Sequence, residues 1–581
     1  MPFPRSPETR QTAGLIAACG HGDTAVARGI LHRGILHDFF AKVLRCGMVH
    51  LTVVPRTFLR SLAAASCLLA ATAGAVEKQE VTLEFVAGLA EQRSKEAFKD
   101  RRGSLPQDLA VENLNYDRYR ELRFRPDQAL WRKDERPFWA EFFHPGYIYQ
   151  EPVQMHEFTT EGYTQPIRFS PDFFDYSRVP GLREKIPAEA GYAGFKLLHA
   201  LNQPGRMDEL AVFQGASYFR LLGRGSRYGQ SARGLAINCG EGEEFPLFTD
   251  FWLGKPQPGD SRVTLFAILD SRSCTGAYRL VITPGNWSTA EVDAVLFWRA
   301  EPLVRAACDA QKIPYVPLKT TGLAPLTSMF WFGENTEGKP DDYRAEVHDS
   351  DGLLILMEND EIVWRPLNNP PKHHLIRHSV FAANNPKAFG LLQRDREYLN
   401  YHEITNLYHL TPSMIVRPKG QWGEGQVRLV EIGTVSEYED NIVAFWNPVN
   451  PPKPGEPFRF GYTLESGSSG EARLSPNFVQ GTRLGADPGN PKVRDIVIDF
   501  AGDFVDTIPP NEPPVAVPSC PAGMGHFSKA VVLKNDHEKS WRVFLKFEPA
   551  PDLKDPVPLR CTLKKGDTVL TETWDYLWNP R

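Results

Sequence analysis

No C-x-x-C pair occurs in the 581 residues, so neither a zinc ribbon nor a thioredoxin-like redox motif is supported. Dense Lys/Arg tracts are absent and the net charge is -5, which argues against a nucleic-acid partner. No internal repeat is found, which sets aside repeat architectures. Gly223-Arg224-Gly225-Ser226-Arg227-Tyr228-Gly229 lacks the spacing and the Lys-Ser/Thr ending of a phosphate loop. Ser217 lies in GASYF, an incomplete nucleophile elbow. His402-Glu403 lacks the second His of a zincin. His374 and His378 have zinc-ligand spacing, but they follow two prolines with no intervening Glu, which favours a surface or loop role over a metal. Carboxylates are what remain for chemistry.

The length implies more than one domain and ample core. Aromatics at 11% and 48 prolines point to a loop-rich globular protein rather than a helical bundle. From Met48 the chain has the form of a secretory signal: Arg56 and Arg60, an apolar run from Ser61 to Thr72, then Ala73-Gly74-Ala75. The apolar run is shorter than the ~20 residues of a spanning helix. Residues 1–47 read as an upstream extension and 48–75 as the signal peptide; the competing reading is a cytoplasmic leader with a signal anchor. Cleavage after Ala75 leaves Cys239, Cys274, Cys308, Cys520 and Cys561, an odd number, so at least one is unpaired. Cys520 and Cys561 could pair, which spacing alone cannot show.

Helical spacing is expected over Ser94–Lys99, Asp108–Leu114 and Gly191–Leu201. Otherwise short apolar runs separated by Gly, Pro and Asp predict an all-β fold. A large β-sandwich is expected over 76–385, interrupted by an insertion at Glu301–Lys319. Asn384-Asn385-Pro386 is the expected break before a smaller immunoglobulin-like sandwich over 386–581, with Pro448–Pro457 as a hairpin loop inside it.

Pro325–Pro371 is the richest stretch. Trp331, Phe332, Tyr343 and Trp364 surround Arg344, His348, Asp349, Ser350, Asp351 and Arg365. Flat rings stack on the C–H faces of pyranoses, and carboxylates take hydroxyl hydrogen bonds or do acid–base work. The same residues also fit an ordinary strand–turn–strand pair with buried rings. A second patch sets Glu241, Glu243, Glu244, Asp250 and Asp260 among Phe245, Phe248, Phe251 and Trp252. Two such patches could line two walls of one cleft. An inverting glycosidase needs two carboxyls about 6.5–9.5 Å apart, one of them protonated, and Asp351 beside Asp349 could raise its pKa.

The strings GASYFR (215–220), YGQSARGLAI (228–237), GEEFPLF (242–248) with DFW (250–252), GLAPLTSMFWFG (322–333), YRAEVHDSDGL (343–353), WRPLNNP (364–370), FGLLQRDR (389–396) and DNIVAFW (440–446) resemble those of the bacterial periplasmic glucans biosynthesis proteins, types G and D. HDSDGL leans to the D type. The resemblance spans roughly 80 to 580. It implies a periplasmic protein with a large galactose-mutarotase-like β-sandwich followed by the immunoglobulin-like one. The implied activity is that of an inverting glycoside hydrolase or transglycosylase on β-1,2-glucan, without metal or organic cofactor. Asp349 falls on the family's general acid, and Asp250 is the best match for the base. Tyr228, Arg233, Tyr343, Trp364 and Arg365 would line subsites, with Glu244, Trp252, Trp331 and Asp351 added from the two patches. The implied partners are the β-1,2-glucan and an inner-membrane glucan synthase; a homodimer is left open. A non-catalytic glucan-binding accessory is the alternative, and a mutarotase-like epimerase a remote third. Two departures stand out: Asn238-Cys239 where the family pattern has Asp, and the long Glu301–Lys319 segment.

Overall fold

The chain divides into two units, Met1–Glu77 and Lys78–Arg581. The computed structural model describes residues 77–101, 105–468 and 474–580, so the expected extension (1–47) and signal segment (48–75) lie outside the described residues. The second unit is nearly all β, as expected.

Two large sheets face one another. The longer runs in the order Tyr163–Pro166, Gln154–Phe158, Leu247–Gly254, Val263–Asp270, Cys274–Thr283, Trp287–Trp298, Pro457–Gly467, Ser413–Lys419, Ala388–Leu392, Gly352–Leu356, Ile362–Pro366, Thr573–Trp578, Val557–Lys565 and Val515–Ser519. The other runs Ile376–Asn384, Glu424–Ile432, Ile442–Pro448, Thr321–Ser328, Ser231–Arg233, Tyr218–Leu221, Arg206–Gln214, Gly194–Gln203 and Phe138–Phe143. Strand periodicity fixes what lies between them. Leu265, Leu280, Val292 and Tyr462 of the first sheet meet Phe195, Phe213, Phe219, Leu326 and Trp446 of the second in one core.

The middle of the longer sheet is buried on both faces, which is why Leu265–Leu269, within the strand Val263–Asp270, is an unbroken apolar run. Its outer residues Phe266 and Ile268 pack with Trp252, Ala277 and Val295 under helix Leu83–Ser94, through Val86, Ala87 and Ala90. Thr82 caps that helix by accepting from Phe85 N–H. The helix therefore ends where the sequence pattern expects one to begin, and in place of a helix over Asp108–Leu114 the chain has the 3-10 piece Gln107–Leu109 and, after it, the short helix Tyr116–Tyr119.

Gly191–Leu201 is not helical. Gly194–Gln203 is a strand paired with Phe138–Phe143 and Arg206–Gln214, and a bulge between Leu197 and Leu198 breaks its alternation. That slip places Leu197, Leu198 and Leu201 at a spacing that imitates a helix.

The expected break near 385 does not separate the sheets. Ala388–Leu392, Ser413–Lys419, Glu424–Ile432, Ile442–Pro448 and Pro457–Gly467 all belong to the two large sheets. Pro448–Pro457 joins a strand of one sheet to a strand of the other, so it is not a hairpin loop. The separate four-stranded sheet begins later, in the order Asn477–Ala486, Arg494–Gly502, Ser540–Pro549 and Gly525–Asn535. Its Ile496, Ile498, Val543 and Phe547 share a second core with Leu354, Trp364, Trp574 and Leu559 of the longer sheet. Cys520 and Cys561 are both free thiols, as are Cys239, Cys274 and Cys308.

The second core has no slack around Trp364. A Cβ on Gly352 would sit 2.1 Å from Trp364 Cζ2, and Arg394 closes the ring's other side at 3.5 Å. Gly352→Ala is expected to destabilise by about 1–3 kcal/mol through overpacking. Gly88→Ala, on the exposed face of helix Leu83–Ser94 with nothing within 4 Å, is expected to stabilise by roughly 0.5–1 kcal/mol. Denaturant midpoints should move in opposite directions for the two variants.

Candidate active site

The outer face of the shorter large sheet is the place where chemistry-bearing residues collect. Ala211, Phe213, Phe219, Leu221 and Ala232 point into the core, so Val212, Gln214, Tyr218, Arg220, Ser231 and Arg233 point outward. The register sets Arg220 beside Val212, Arg233 beside Tyr218 and Ser231 beside Thr327. Arg233 is held in place: it donates to Thr327 Oγ1 (2.8 Å) and Glu243 (2.7 Å), and its guanidinium lies 4.6 Å from the Tyr218 ring centre. Arg220 lies 5.5 Å from the centre of the Tyr228 ring and makes no ion pair among the described residues.

Asp349 is delivered to this face by the turn between strands Val347–His348 and Gly352–Leu356. Its N–H donates to Met329 O (2.8 Å). The buried Gln230 amide spans its carbonyl (3.4 Å), Leu391 O (3.1 Å) and Pro412 O (2.9 Å). The neighbouring Ser350 hydroxyl bonds Ser328 at 2.7 Å. The turn is pinned, but the Asp349 carboxyl itself has no hydrogen bond or ion pair among the described residues. Burial, then the negative charges of Asp440 and Glu437, push its pKa up to about 7 against the pull of Arg220 and His348.

The other acidic groups around it are already engaged. Glu437 accepts from Arg344 (2.6 Å) and Tyr408 Oη (2.6 Å). Arg344 also pairs with Asp342 at 2.9 Å and Glu403 at 3.5 Å, tying three loops together at the rim. Glu346 meets His348 Nε2 at 2.8 Å, and His348 Nδ1 meets Gln393 Oε1 at 2.9 Å. Gln393 Nε2 faces His348 O (3.0 Å) and Tyr408 O (3.2 Å), which fixes the amide's orientation. Both ring nitrogens therefore carry protons. Burial opposes that charge, but Glu346, Asp351 and Asp395 raise the pKa to about 9. Asp440, by contrast, is exposed and makes no ion pair among the described residues.

Of the residues the sequence nominates, Asp349, Tyr228 and Arg233 reach this face. Trp331 and Tyr343 stand on the rim around Arg344, 5.9 and 5.5 Å from its guanidinium, Tyr343 with 73% of its surface exposed. The rest go elsewhere. Asp250 lies on the opposite side of the sandwich, under the N-terminal helix. It accepts from Arg93 at 2.7 and 3.0 Å and from Thr249 at 2.7 Å, and Arg93 holds its carboxyl below the usual range despite burial. It is a structural carboxylate, not Asp349's partner. Trp252, two residues along on the same side, stacks on His156 at 5.1 Å. Glu244 accepts Ser273 N–H and Oγ–H, both at 2.8 Å, and closes a strand turn. Trp364 is core. Arg365 is buried on Asp575 (2.6 Å) and Ser379 (3.0 Å). Asp351 receives Arg394 N–H (2.8 Å) and Asp395 N–H (2.9 Å), so it braces the turn from below.

Arg220, Gln230, Gln393, Glu437 and Asp440 were missed as site residues. Arg220, Gln230, Gln393 and Asp440 lie inside the strings that carry the family resemblance; what brings them to Asp349 is pairing between strands that are not neighbours in the sequence. Among the described residues, no group of three or more His, Cys, Asp or Glu could hold a metal.

Exposed rings, guanidinium groups and two carboxyls without ion pairs among the described residues, on an open sheet face, are the equipment of a saccharide-handling β-sandwich. The chain belongs to the family described as "Periplasmic glucan biosynthesis protein, MdoG", whose model matches residues 82–578. It is 42% identical over 508 residues to glucans biosynthesis protein G of Ralstonia nicotianae, covering 86% of this chain and 96% of that one. It is 37% identical over 544 residues to a probable glucans biosynthesis protein D of Shewanella oneidensis, covering 92% and 94%. A glucans biosynthesis protein G of Vibrio cholerae is 39% identical over 500 residues, covering 85% and 86%. A role in glucan biosynthesis follows.

Asp349 has a stability consequence of definite sign. Its folded pKa of about 7 lies above the ordinary 3.8. The proton is therefore bound more tightly in the folded chain, and that contribution is lost as pH rises from roughly 4 through 7. Asp349→Asn, which cannot ionise, should melt several degrees above wild type at about pH 8 and level with it near pH 4. Paired thermal melts at the two pH values check this.

Proposed function

We propose that the protein is exported to the periplasm and acts there on the β-1,2-linked backbone of osmoregulated periplasmic glucans, as an inverting glycoside hydrolase or transglycosylase. The observation that carries the reading is the Asp349 carboxyl: unpaired, on an open face, with its pKa pushed up to about 7. Half-protonated near neutrality, it can donate to a glycosidic oxygen. Arg220 and the His348 imidazolium then stabilise the carboxylate that forms.

Asp440 replaces Asp250 as the partner base. It raises Asp349's pKa by its charge yet makes no hydrogen bond with it, which leaves room for a water or a sugar hydroxyl between them. Asp440 takes the proton of that nucleophile as it attacks the anomeric carbon from the side opposite the leaving group. The signal-like segment at 48–75 and the family's description support export.

The test is incubation of the mature protein with linear β-1,2-glucan, products followed by chromatography and their anomeric form by NMR. Shortened or rearranged chains with inverted anomers are expected. Asp349→Asn and Asp440→Asn should each lose about 10²–10⁴-fold in kcat with unchanged circular dichroism. Wild-type kcat should fall as pH rises past about 7, as Asp349 loses its proton. Full turnover by Asp349→Asn would remove it as the acid. Glucan binding by wild type without any product would leave the non-catalytic accessory as the correct reading.

A further inference from the structure

Beyond the Asp349 cleft, the same outer face carries a group of four tyrosines with no role in the chemistry above. Tyr116 and Tyr119 sit on the short helix Tyr116–Tyr119, and Tyr147 and Tyr149 on the loop after strand Phe138–Phe143. Ring centres are 6.1 Å apart for Tyr116–Tyr147, 5.9 Å for Tyr119–Tyr147 and 5.6 Å for Tyr119–Tyr149. Tyr119 anchors the group: its hydroxyl donates to His144 O (2.8 Å) and accepts from Gln214 Nε2 (2.9 Å) on the sheet face itself.

Two observations separate this group from ordinary packing. The hydroxyls of Tyr116, Tyr147 and Tyr149 make no hydrogen bond among the described residues, and none of them is a sealed, unsatisfied buried atom. Tyr147 itself is buried, with 6% of its surface exposed, so the rings a ligand can reach are those of Tyr116 and Tyr149. Tyr147 is also held at φ 56°, a left-handed conformation that costs a bulky side chain on the order of 1–3 kcal/mol and persists where the surroundings impose it. Tyr116 keeps 45% of its surface exposed.

The group is continuous with the cleft. Gln214, which donates to the Tyr119 hydroxyl, shares its face with Val212, and Val212 pairs with Arg220. Arg220 reaches over Tyr228. Tyr149 lies within the influence of both Arg220 and Asp440, the two charges that also act on Asp349.

We propose that Tyr116 and Tyr149, backed by the buried Tyr147, form a distal binding platform for glucose units of the glucan chain well removed from the bond held at Asp349. The rings stack on the C–H faces of successive sugars and the free phenols bond their hydroxyls. The proposal rests on the functional reading above, and it assigns these residues to chain-length selection rather than to catalysis.

The decisive measurement is glucan affinity in the Asp349→Asn protein, run beside turnover by the Asp349-containing chain, each with a short and a long linear β-1,2-glucan. Tyr116→Ala and Tyr149→Ala are expected to weaken binding of the long glucan about tenfold. KM for the long glucan should rise by the same factor, with kcat and all constants for the shortest cleaved oligosaccharide unchanged. Tyr149→Phe, which keeps the ring and its packing, should show a smaller loss of the same kind. Unchanged long-chain affinity in Tyr116→Ala and Tyr149→Ala overturns the platform while leaving the enzyme reading intact. Length-dependent binding through these tyrosines without any turnover overturns the enzyme reading and sustains the platform. Absence of β-1,2-glucan binding at every length overturns both.

Discussion

The structure turns on a mutual clamp between two short turns, His348–Gly352 and Gln393–Asp395. Asp351 accepts the N–H groups of Arg394 and Asp395, while the Gln393 amide grips the His348 ring and carbonyl. Arg394 carries the clamp outward. Its guanidinium lies 3.5 Å from the centre of the Trp364 ring and forks onto Glu572 at 2.7 and 2.9 Å. Glu572 directly precedes the strand Thr573–Trp578, which runs parallel to Ile362–Pro366. One set of hydrogen bonds therefore positions Asp349 and fastens both the C-terminal strand Thr573–Trp578 and, through Val479 N–H on Glu572, the four-stranded sheet. A planar, bidentate guanidinium suits this better than an ammonium would, because it stacks on a ring and holds a carboxylate at once.

The clamp also sorts charges. Buried carboxylates are costly unless paired, and here the partners are assigned: His348 to Glu346, Arg344 to Glu437, Arg394 to Glu572, Arg93 to Asp250. Asp349 and Asp440 are the two near the open face that receive none. Of these two, Asp349 is the one whose pKa burial and neighbouring charges raise, to about 7. His348 adds a restraint. A positive charge next in the chain to Asp349 keeps its pKa near neutrality instead of letting burial and Asp440 drive it higher.

The sequence made the all-β character legible, since apolar runs and turn residues report strand periodicity directly. It also carried Asp349, because the strings around it are dense enough to identify the family. It misled wherever neighbours in sequence were taken as neighbours in space. Trp364 and Arg365 lie a few residues from Asp349 but on the strand Ile362–Pro366, whose side chains enter the second core and its polar border. Asp250 and Trp252 share an acidic, aromatic segment with Glu243, yet that segment crosses from the shorter sheet's face, where Glu243 meets Arg233, to the helix-covered side of the longer one. Asp440 and Arg220 were within sight, but only the pairing of Ile442–Pro448 with Thr321–Ser328, and of Ser231–Arg233 with Tyr218–Leu221, brings them to Asp349's side.

Asn238 and the Glu301–Lys319 segment prove to be one feature. Glu301–Gln311 is a helix ended by Lys312 in a left-handed conformation, after which the chain returns to Thr321–Ser328. Asn238 receives that return. Its Nδ2 donates to Pro317 O (2.9 Å) and its Oδ1 accepts from Lys319 N–H (2.7 Å) and Thr320 N–H (3.2 Å). An aspartate could accept the two N–H groups but could not donate to the carbonyl, so an amide is the side chain that satisfies all three. At φ 52° it also occupies backbone space that Asn tolerates better than most residues. Asn238 and the long segment therefore depend on each other. Asn238 spends its amide on the backbone of 317–320, and neither it nor the helix places a charge among those acting on Asp349. This pairing ties down one end of the Thr321–Ser328 strand and leaves the surroundings of Asp349 to the rest of the sheet.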